Sequence, residues 1–289
     1  MKMTGIEIQP RADAEVTRIE APRGLVPLNL HELWQYRELI YFMLWRDVKG
    51  RYRQMAFGPL WMVISPLLNT LLFVVMFGVV AKLPTDGLPA PLFMYSALLV
   101  WTFFTGGLFS AANSLVGYRD LISKIYFPRL IVPLVGIGSA FVDFLISFLL
   151  LIGMMAYYHC VPSLHIVWLI PYLLLAVCTG LGVGLWFASW IVHFRDISNI
   201  LGYIVRFWMY ACPVVYSSAM VAKHMPEQWM FLYYLNPMTV VIEGVRWSML
   251  GVGRGPDIYL LVAFFLVIPL MITGAYYFRR TERSIVDIA

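Results

Sequence analysis

The chain has 289 residues, of which 61% are hydrophobic and 13% are charged, whereas soluble domains average roughly 45–50% and about 25%. This composition excludes an ordinary soluble fold, and several apolar runs of about twenty residues indicate a polytopic membrane protein. The formal net charge of +5 does not indicate nucleic-acid binding, because the basic residues lie in predicted loops and tails. The three cysteines are widely spaced and odd in number, which argues against a disulfide framework.

The amino-terminal region lacks the apolar core of a signal peptide. Residues 1–28 mix charged side chains with prolines, so we predict a poorly ordered cytoplasmic tail. Residues 30–49 follow as an amphipathic segment with Trp34 and Tyr41 on its apolar stripe and basic residues at its end. This pattern predicts a helix that lies in the inner membrane interface.

Residues 29–289 are predicted to form a single, all-α transmembrane domain with six spans. The spans are expected at about 58–81, 92–116, 130–158, 166–192, 200–217 and 257–278. Sixteen Lys and Arg residues fall on the side of the two termini and four on the other side. The positive-inside rule therefore places both termini in the cytoplasm, as an even number of spans requires.

The loop at 117–129 is a polar, mostly basic island between two apolar runs. Its apolar residues recur three and four positions apart, which predicts a short amphipathic helix with one face available to a partner. The chain has no GxxxxGK[ST] phosphate loop, so any ATP hydrolysis must come from another polypeptide. The predicted coupling residues are Arg119, Asp120, Leu121, Ile122, Lys124, Ile125 and Tyr126.

The segment at 222–251 is too apolar for a solvated loop and is split by Asn236-Pro237. Neither of its two pieces is long enough to cross a bilayer, so we predict a re-entrant hairpin of two short helices in the outer leaflet, beside a pore mouth. The gate candidates are Trp229, Tyr233, Tyr234, Asn236, Glu243 and Arg246.

Aromatic residues make up 16% of the chain, and some of those on spans one and five share helical faces. We predict that these faces line a conduit, with lipid or core contact as the other interpretation of each single residue. Asp143 and Arg206 are charges within spans, and they either pair, line a wet path, or serve in packing and snorkelling. The channel-lining candidates are Trp61, Phe73, Phe77, Tyr203, Arg206, Phe207 and Tyr210.

No catalytic or metal site is predicted. The chain contains neither HExxH nor GxSxG. His159, Cys160 and His165 lie close in sequence but do not provide a tetrahedral ligand set.

Five stretches together resemble the membrane permease subunits of type-2 ABC exporters for polysaccharides, the O-antigen, capsule and teichoic-acid export family. The resemblance extends from about residue 28 to the end of the chain. The stretches are LWRDVKGRYRQMAFGPLW (44–61), LISKIYFPRLIVPLVGIGSAFVDF (121–144), FRDISNIL (194–201), LYYLNPMTVVIEGVRWSMLG (232–251) and YFRRTERSIVDIA (277–289).

The resemblance implies a homodimer that works with two copies of a separate ABC ATPase, which would bind ATP and magnesium, so that this chain needs no cofactor. It implies that residues 119–126 form the coupling helix, that spans one and five line the channel, and that the location is the bacterial inner membrane. The implied cargo is an undecaprenyl-linked polysaccharide, with lipopolysaccharide O-antigen expected first and capsule or teichoic acid left open. A small lipid or drug carried by the same architecture is the alternative, and a membrane-embedded enzyme is a third hypothesis.

Overall fold

The computed structural model describes residues 30–53, 60–122 and 124–281, and the predicted tail at 1–28 lies outside them. Within these ranges the chain is helical and contains no strand. A π-helical segment, Val74–Val80, extends α3, and a 3₁₀-helix, Leu164–Trp168, precedes α8. The α-helices are α1 Leu30–Gln35, α2 Arg37–Arg53, α3 Trp61–Phe73, α4 Ala90–Ala112, α5 Ser114–Gly117, α6 Arg119–Ile122, α7 Ile131–Tyr157, α8 Leu169–His193, α9 Ile197–Ala211, α10 Ser218–His224, α11 Glu227–Tyr234, α12 Pro237–Leu250 and α13 Ile258–Thr281.

Five helical segments in the described part of the chain are long and apolar enough to cross a membrane, and they match five of the six predicted spans. They are Val63–Val80, Ala90–Ala112, Ile131–Tyr157, Leu164–His193 and Ile258–Thr281.

The remaining predicted span, 200–217, is only partly helical. Helix α9 has 15 residues, about 22 Å of rise, against a hydrocarbon thickness of about 30 Å. It ends where Cys212 adopts an extended backbone, with ψ at 154°, because the residue before Pro213 is pushed out of the helical region. The sixth span therefore stays a prediction.

Helix α4 forms the centre of the bundle. It packs between α7 and α8, and 78% of its 18-residue apolar stretch is buried, so this stretch is apolar around its whole circumference. Small residues allow its neighbours to approach closely: a methyl group at Gly184 of α8 would lie 2.6 Å from Cβ of Ala111 and 2.9 Å from the carbonyl oxygen of Leu108. Van der Waals packing of this kind is what holds helices together inside a bilayer.

Helix α3 is peripheral by contrast. Only 6% of Val63–Val80 is buried, although the segment has a mean hydropathy of 2.3. A helix that is apolar yet unburied in one copy of a membrane protein must contact lipid or a further protein surface.

The predicted interfacial helix at 30–49 is two helices, because α1 and α2 are separated at Tyr36. Helix α2 packs along the first half of α7, where a methyl group at Gly138 would lie 3.2 Å from Cδ1 of Leu44. Met43, which is 1% exposed, joins Phe127 and Ile131 in a small core beneath the predicted coupling loop. Helix α2 therefore links that loop to α7.

The coupling loop and the predicted hairpin lie at opposite ends of α4. Arg246 of α12 donates to the carbonyl oxygen of Phe93 near the start of α4, whereas the loop follows the end of α4. The 23 residues of α4 separate the two regions by about 35 Å. Helices α11 and α12 meet at Asn236 as the sequence indicates, and α10 is an additional short helix before them.

Candidate functional site

The predicted coupling residues fall into an inner and an outer group. Helix α6 is a single turn, shorter than the amphipathic pattern indicates. Leu121 and Ile122 are half-buried and pack against the small core formed with α2. The side chains that face outward are Arg119, Asp120, Lys124, Ile125 and Tyr126, with Ile125 56% and Tyr126 70% exposed. An exposed patch that combines charge with large apolar groups has the composition of a protein-docking surface.

Tyr118 anchors this loop to α2. Its hydroxyl donates a hydrogen bond to a carboxylate oxygen of Asp47, and Nη2 of Arg46 binds the other oxygen at 3.1 Å. The Arg46 guanidinium also lies 5.4 Å from the centre of the Tyr118 ring. Burial, helped by the charge of Asp47, raises the pKa of Tyr118 to about 12, so the hydroxyl remains a donor throughout the physiological range.

Tyr118, Asp47 and Arg46 are not among the predicted site residues. Asp47 and Tyr118 are 71 positions apart, and no local pattern relates them. The one available signal is the acidic Asp47 within the basic run RDVKGR at 46–51.

Tyr118→Phe is expected to lower the free energy of unfolding of the chain by about 1–2 kcal/mol, because a hydrogen bond to a charged acceptor is lost while the ring is kept. Thermal unfolding of the purified chain measures this. Tyr126→Phe is the matched control, because Tyr126 lies in the same loop and is 70% exposed. Equal stability of the two variants would show that the Tyr118–Asp47 bond does not hold the loop.

The channel-lining candidates on α9 form one exposed face. Tyr203, Phe207 and Tyr210 are 62%, 75% and 56% exposed, and the Arg206 guanidinium lies 5.8 Å from the centre of the Tyr203 ring. These side chains come together as the spacing predicts, although no contact in the described structure shows what covers them.

The candidates on α3 do not share one environment. Trp61 is 42% exposed, but Phe73 and Phe77 are partly buried against the main core, with ring centres 5.6 Å apart. Their placement supports the core-contact interpretation for the two phenylalanines.

Asp143 pairs with Arg51 and not with Arg206. Nη1 of Arg51 lies 2.5 Å from Oδ2 of Asp143, so the ion pair joins α2 to α7. The interpretation that Asp143 pairs with Arg206, which the sequence left open, is therefore wrong.

Two of the gate candidates form a buried pair, and a third, Asn236, is partly buried at the edge of a cavity. Glu243 and Arg246 are 3% and 1% exposed, with 3.9 Å between Oε1 and Nη1. Asn236 caps α12, accepts from the Trp208 indole N–H at 2.9 Å, and donates to Sγ of Cys212 at 3.1 Å. These contacts attach the predicted hairpin to α4, α9 and the segment between α9 and α10.

Two other gate candidates border an open cleft. Trp229 and Tyr233 line a mostly apolar cavity of about 850 Å³ between the end of α9 and helices α10 and α11. Tyr234 is buried, and its ring lies 5.0 Å from that of Tyr259 in α13. Among the described residues, no three His, Cys, Asp or Glu side chains come close enough to hold a metal ion.

Comparison with known families identifies the chain. Residues 38–250, from α2 to the last residue of α12, match the model of the ABC-2 type transporter. The chain belongs to the ABC-2 type transporter family. Together with the apolar helices, the family match establishes a multi-pass membrane protein that is the membrane subunit of a transporter.

Curated relatives of this ABC-2 transporter carry a more specific name. The chain is 28% identical over 247 residues to the O-antigen export system permease protein RfbA of Myxococcus xanthus, and the match covers 85% of this chain and 93% of the relative. Two proteins of the same name from Klebsiella pneumoniae are 25% and 26% identical. The first match covers 87% of this chain and 95% of the relative, and the second covers 72% and 79%.

Proposed function

We propose that the chain is the membrane subunit of an ATP-driven exporter that moves an undecaprenyl-linked polysaccharide, lipopolysaccharide O-antigen, across the bacterial inner membrane. The observation that carries this proposal is the family match together with three relatives named as O-antigen export permeases. The matched region covers at least 79% of each relative, so the likeness extends over most of their length.

The distribution of charge supports different functions at the two ends of α4. The exposed, basic loop at 117–129 is the docking surface for a separate ABC ATPase on the cytoplasmic side. The predicted hairpin at 222–251 lies about 35 Å away, in the outer leaflet. Since no phosphate loop occurs in the sequence, ATP and magnesium bind to the partner.

The exposed faces of α3 and α9 support a homodimer. In one copy, Val63–Val80 is 6% buried and α9 presents Tyr203, Phe207 and Tyr210 outward. A second copy, with its own ATPase, brings equivalent faces opposite these and encloses a channel lined with rings. Flat ring faces allow a sugar chain to slide without a fixed binding position.

Deletion of the gene in the bacterium that encodes the chain is expected to remove O-antigen from the cell surface and to accumulate undecaprenyl-linked polymer inside. Immunoblots of surface polysaccharide and mass spectrometry of the lipid-linked pool measure the two effects. The control is the Leu149→Ala variant, changed at a 67% exposed position on α7. Its expression in the deletion strain should restore export. Unchanged surface O-antigen in the deletion strain would refute the proposed cargo.

A further inference from the structure

A cavity of about 260 Å³ that has several polar side chains in its lining lies between α2, α3, α4 and α7. Its position is unusual because three of these helices, α3, α4 and α7, are strongly apolar. The polar side chains in its lining are Arg51, Ser65, Asn69, Thr102, Asp143 and Ser147.

The cavity lies beside the middle of α7, one of the helices that are long and apolar enough to cross a membrane. Asp143 is the thirteenth of the 27 residues of α7, and Arg51 reaches it from the last turn of α2. The side chains of Arg51 and Asp143 remain 40% and 36% exposed. A charge pair that is exposed at this depth requires water or a polar ligand, because contact with lipid tails would be strongly unfavourable.

The chemistry of the lining favours a neutral, hydroxyl-rich ligand. The charges of Arg51 and Asp143 balance each other, so the described lining residues offer no net charge that would attract a phosphate. Ser65, Asn69 and Thr102 add hydroxyl and amide groups that can donate and accept.

Aromatic rings provide the apolar part of the same cavity. Trp61, Phe103 and Phe144 line it beside the polar groups. This combination suits a sugar ring. The aromatic rings can contact its flat faces, and the amide, hydroxyl and carboxylate groups can bind its edges. The volume is near the lower end of ligand cavities, which range over about 300–1,000 Å³, so it suits a single polar unit and not a whole chain.

We propose that this cavity is a binding site for one sugar unit of a glycan, formed within a single copy of the chain. The identity of the sugar-bearing cargo rests on the proposed function, whereas the existence of the site rests on the cavity, its ion pair and its hydrogen-bonding groups.

The test measures the accessibility of a thiol in the cavity. Ser147→Cys in the purified full chain is expected to react with a charged, water-soluble methanethiosulfonate, and dodecyl glucoside should slow this reaction at least fivefold. Two other amphiphiles serve as controls, dodecyl phosphate and a dodecyl polyoxyethylene ether. They have the same tail and a different head group, and they should not slow the reaction. Peptide-resolved mass spectrometry separates position 147 from the native cysteines.

Two sets of variants serve as controls. Ser139→Cys, on the same helix but only 1% exposed, should remain unreactive. Adding Asn69→Ala or Asp143→Asn to Ser147→Cys should remove the protection by dodecyl glucoside while leaving the thiol reactive.

The outcomes distinguish the alternatives. An unreactive thiol at position 147 would show a dry cavity, equal protection by all three amphiphiles would show a site for tails, and protection by dodecyl phosphate alone would show an anion site. Reactivity without protection by the glucoside would show a cavity for water only. Each of these results overturns the proposal. Because the assay uses the chain without ATPase or export, its result is independent of the gene-deletion experiment.

Discussion

Export is expected to fall at least tenfold when Arg119, Asp120 and Lys124 are replaced together by alanine, while the chain still inserts in the membrane. These three charges lie on the exposed side of the loop at 117–129, at the end of α4 that we assign to the ATPase. Removing interface charges slows association and leaves partner charges unmatched, at a cost of about 2–5 kcal/mol where the pair is buried. Surface polysaccharide, normalised to the amount of membrane-inserted chain, measures the effect.

ATP hydrolysis separates a coupling defect from a folding defect. The triple variant should co-purify with less ATPase, or should lose the stimulation of hydrolysis by lipid-linked glycan, while its thermal unfolding stays close to that of the unmodified chain. Arg280→Ala, which removes an exposed positive charge near the end of α13, is the matched control outside the loop. Normal export by the triple variant would show that the loop does not transmit the work of the ATPase.

Arg246→Met is expected to destabilise the chain by about 3–5 kcal/mol, because it leaves the carboxylate of Glu243 buried without its cation. Arg246 is fully buried: Nη2 donates to the carbonyl oxygens of Phe93 at 3.3 Å and Val214 at 2.9 Å. Its guanidinium lies 3.6 Å from the centre of the Phe93 ring. Thermal unfolding of the purified chain should show a large loss of stability, and α12 should become susceptible to proteolysis.

A double variant isolates the contribution of charge. Arg246→Met combined with Glu243→Gln removes both charges and should recover part of the stability, since Ser218 can still bond the amide at position 243. Arg254→Met is the control, because its ion pair with Asp257 is at the surface and such pairs contribute only about 0–1 kcal/mol. If Arg246→Met and Arg254→Met were equally stable, Arg246 would not be the residue that attaches α12 to α4.

The elements of this fold were largely predictable because their causes are local. The length and apolarity of the five long helices follow directly from the sequence, and Pro237 explains the break between α11 and α12. The sequence predicts a longer helix at 200–217 than the one that forms, because composition and backbone geometry disagree there. The run 200–217 is apolar enough for a span, yet Pro213 restricts Cys212 to an extended conformation and ends α9 early.

The candidate site was predictable only in outline. The exposed face of α9 and the outward charges of the coupling loop follow from helical spacing. Phe73 and Phe77 share a face as predicted, but that face points toward the core, because the orientation of α3 is set by its neighbours and not by its own periodicity.

Composition alone determined that this chain is a polytopic membrane protein, and the charge pattern predicted the basic loop at 117–129. The tertiary structure decided which polar groups meet. Arg51 and Asp143 are 92 positions apart, and Tyr118 and Asp47 are 71 apart. Apolarity identifies the segments that leave water, but a charged side chain inside the bilayer must find its partner wherever packing places one. That choice depends on how α2 lies against α7, which no local pattern in the sequence specifies.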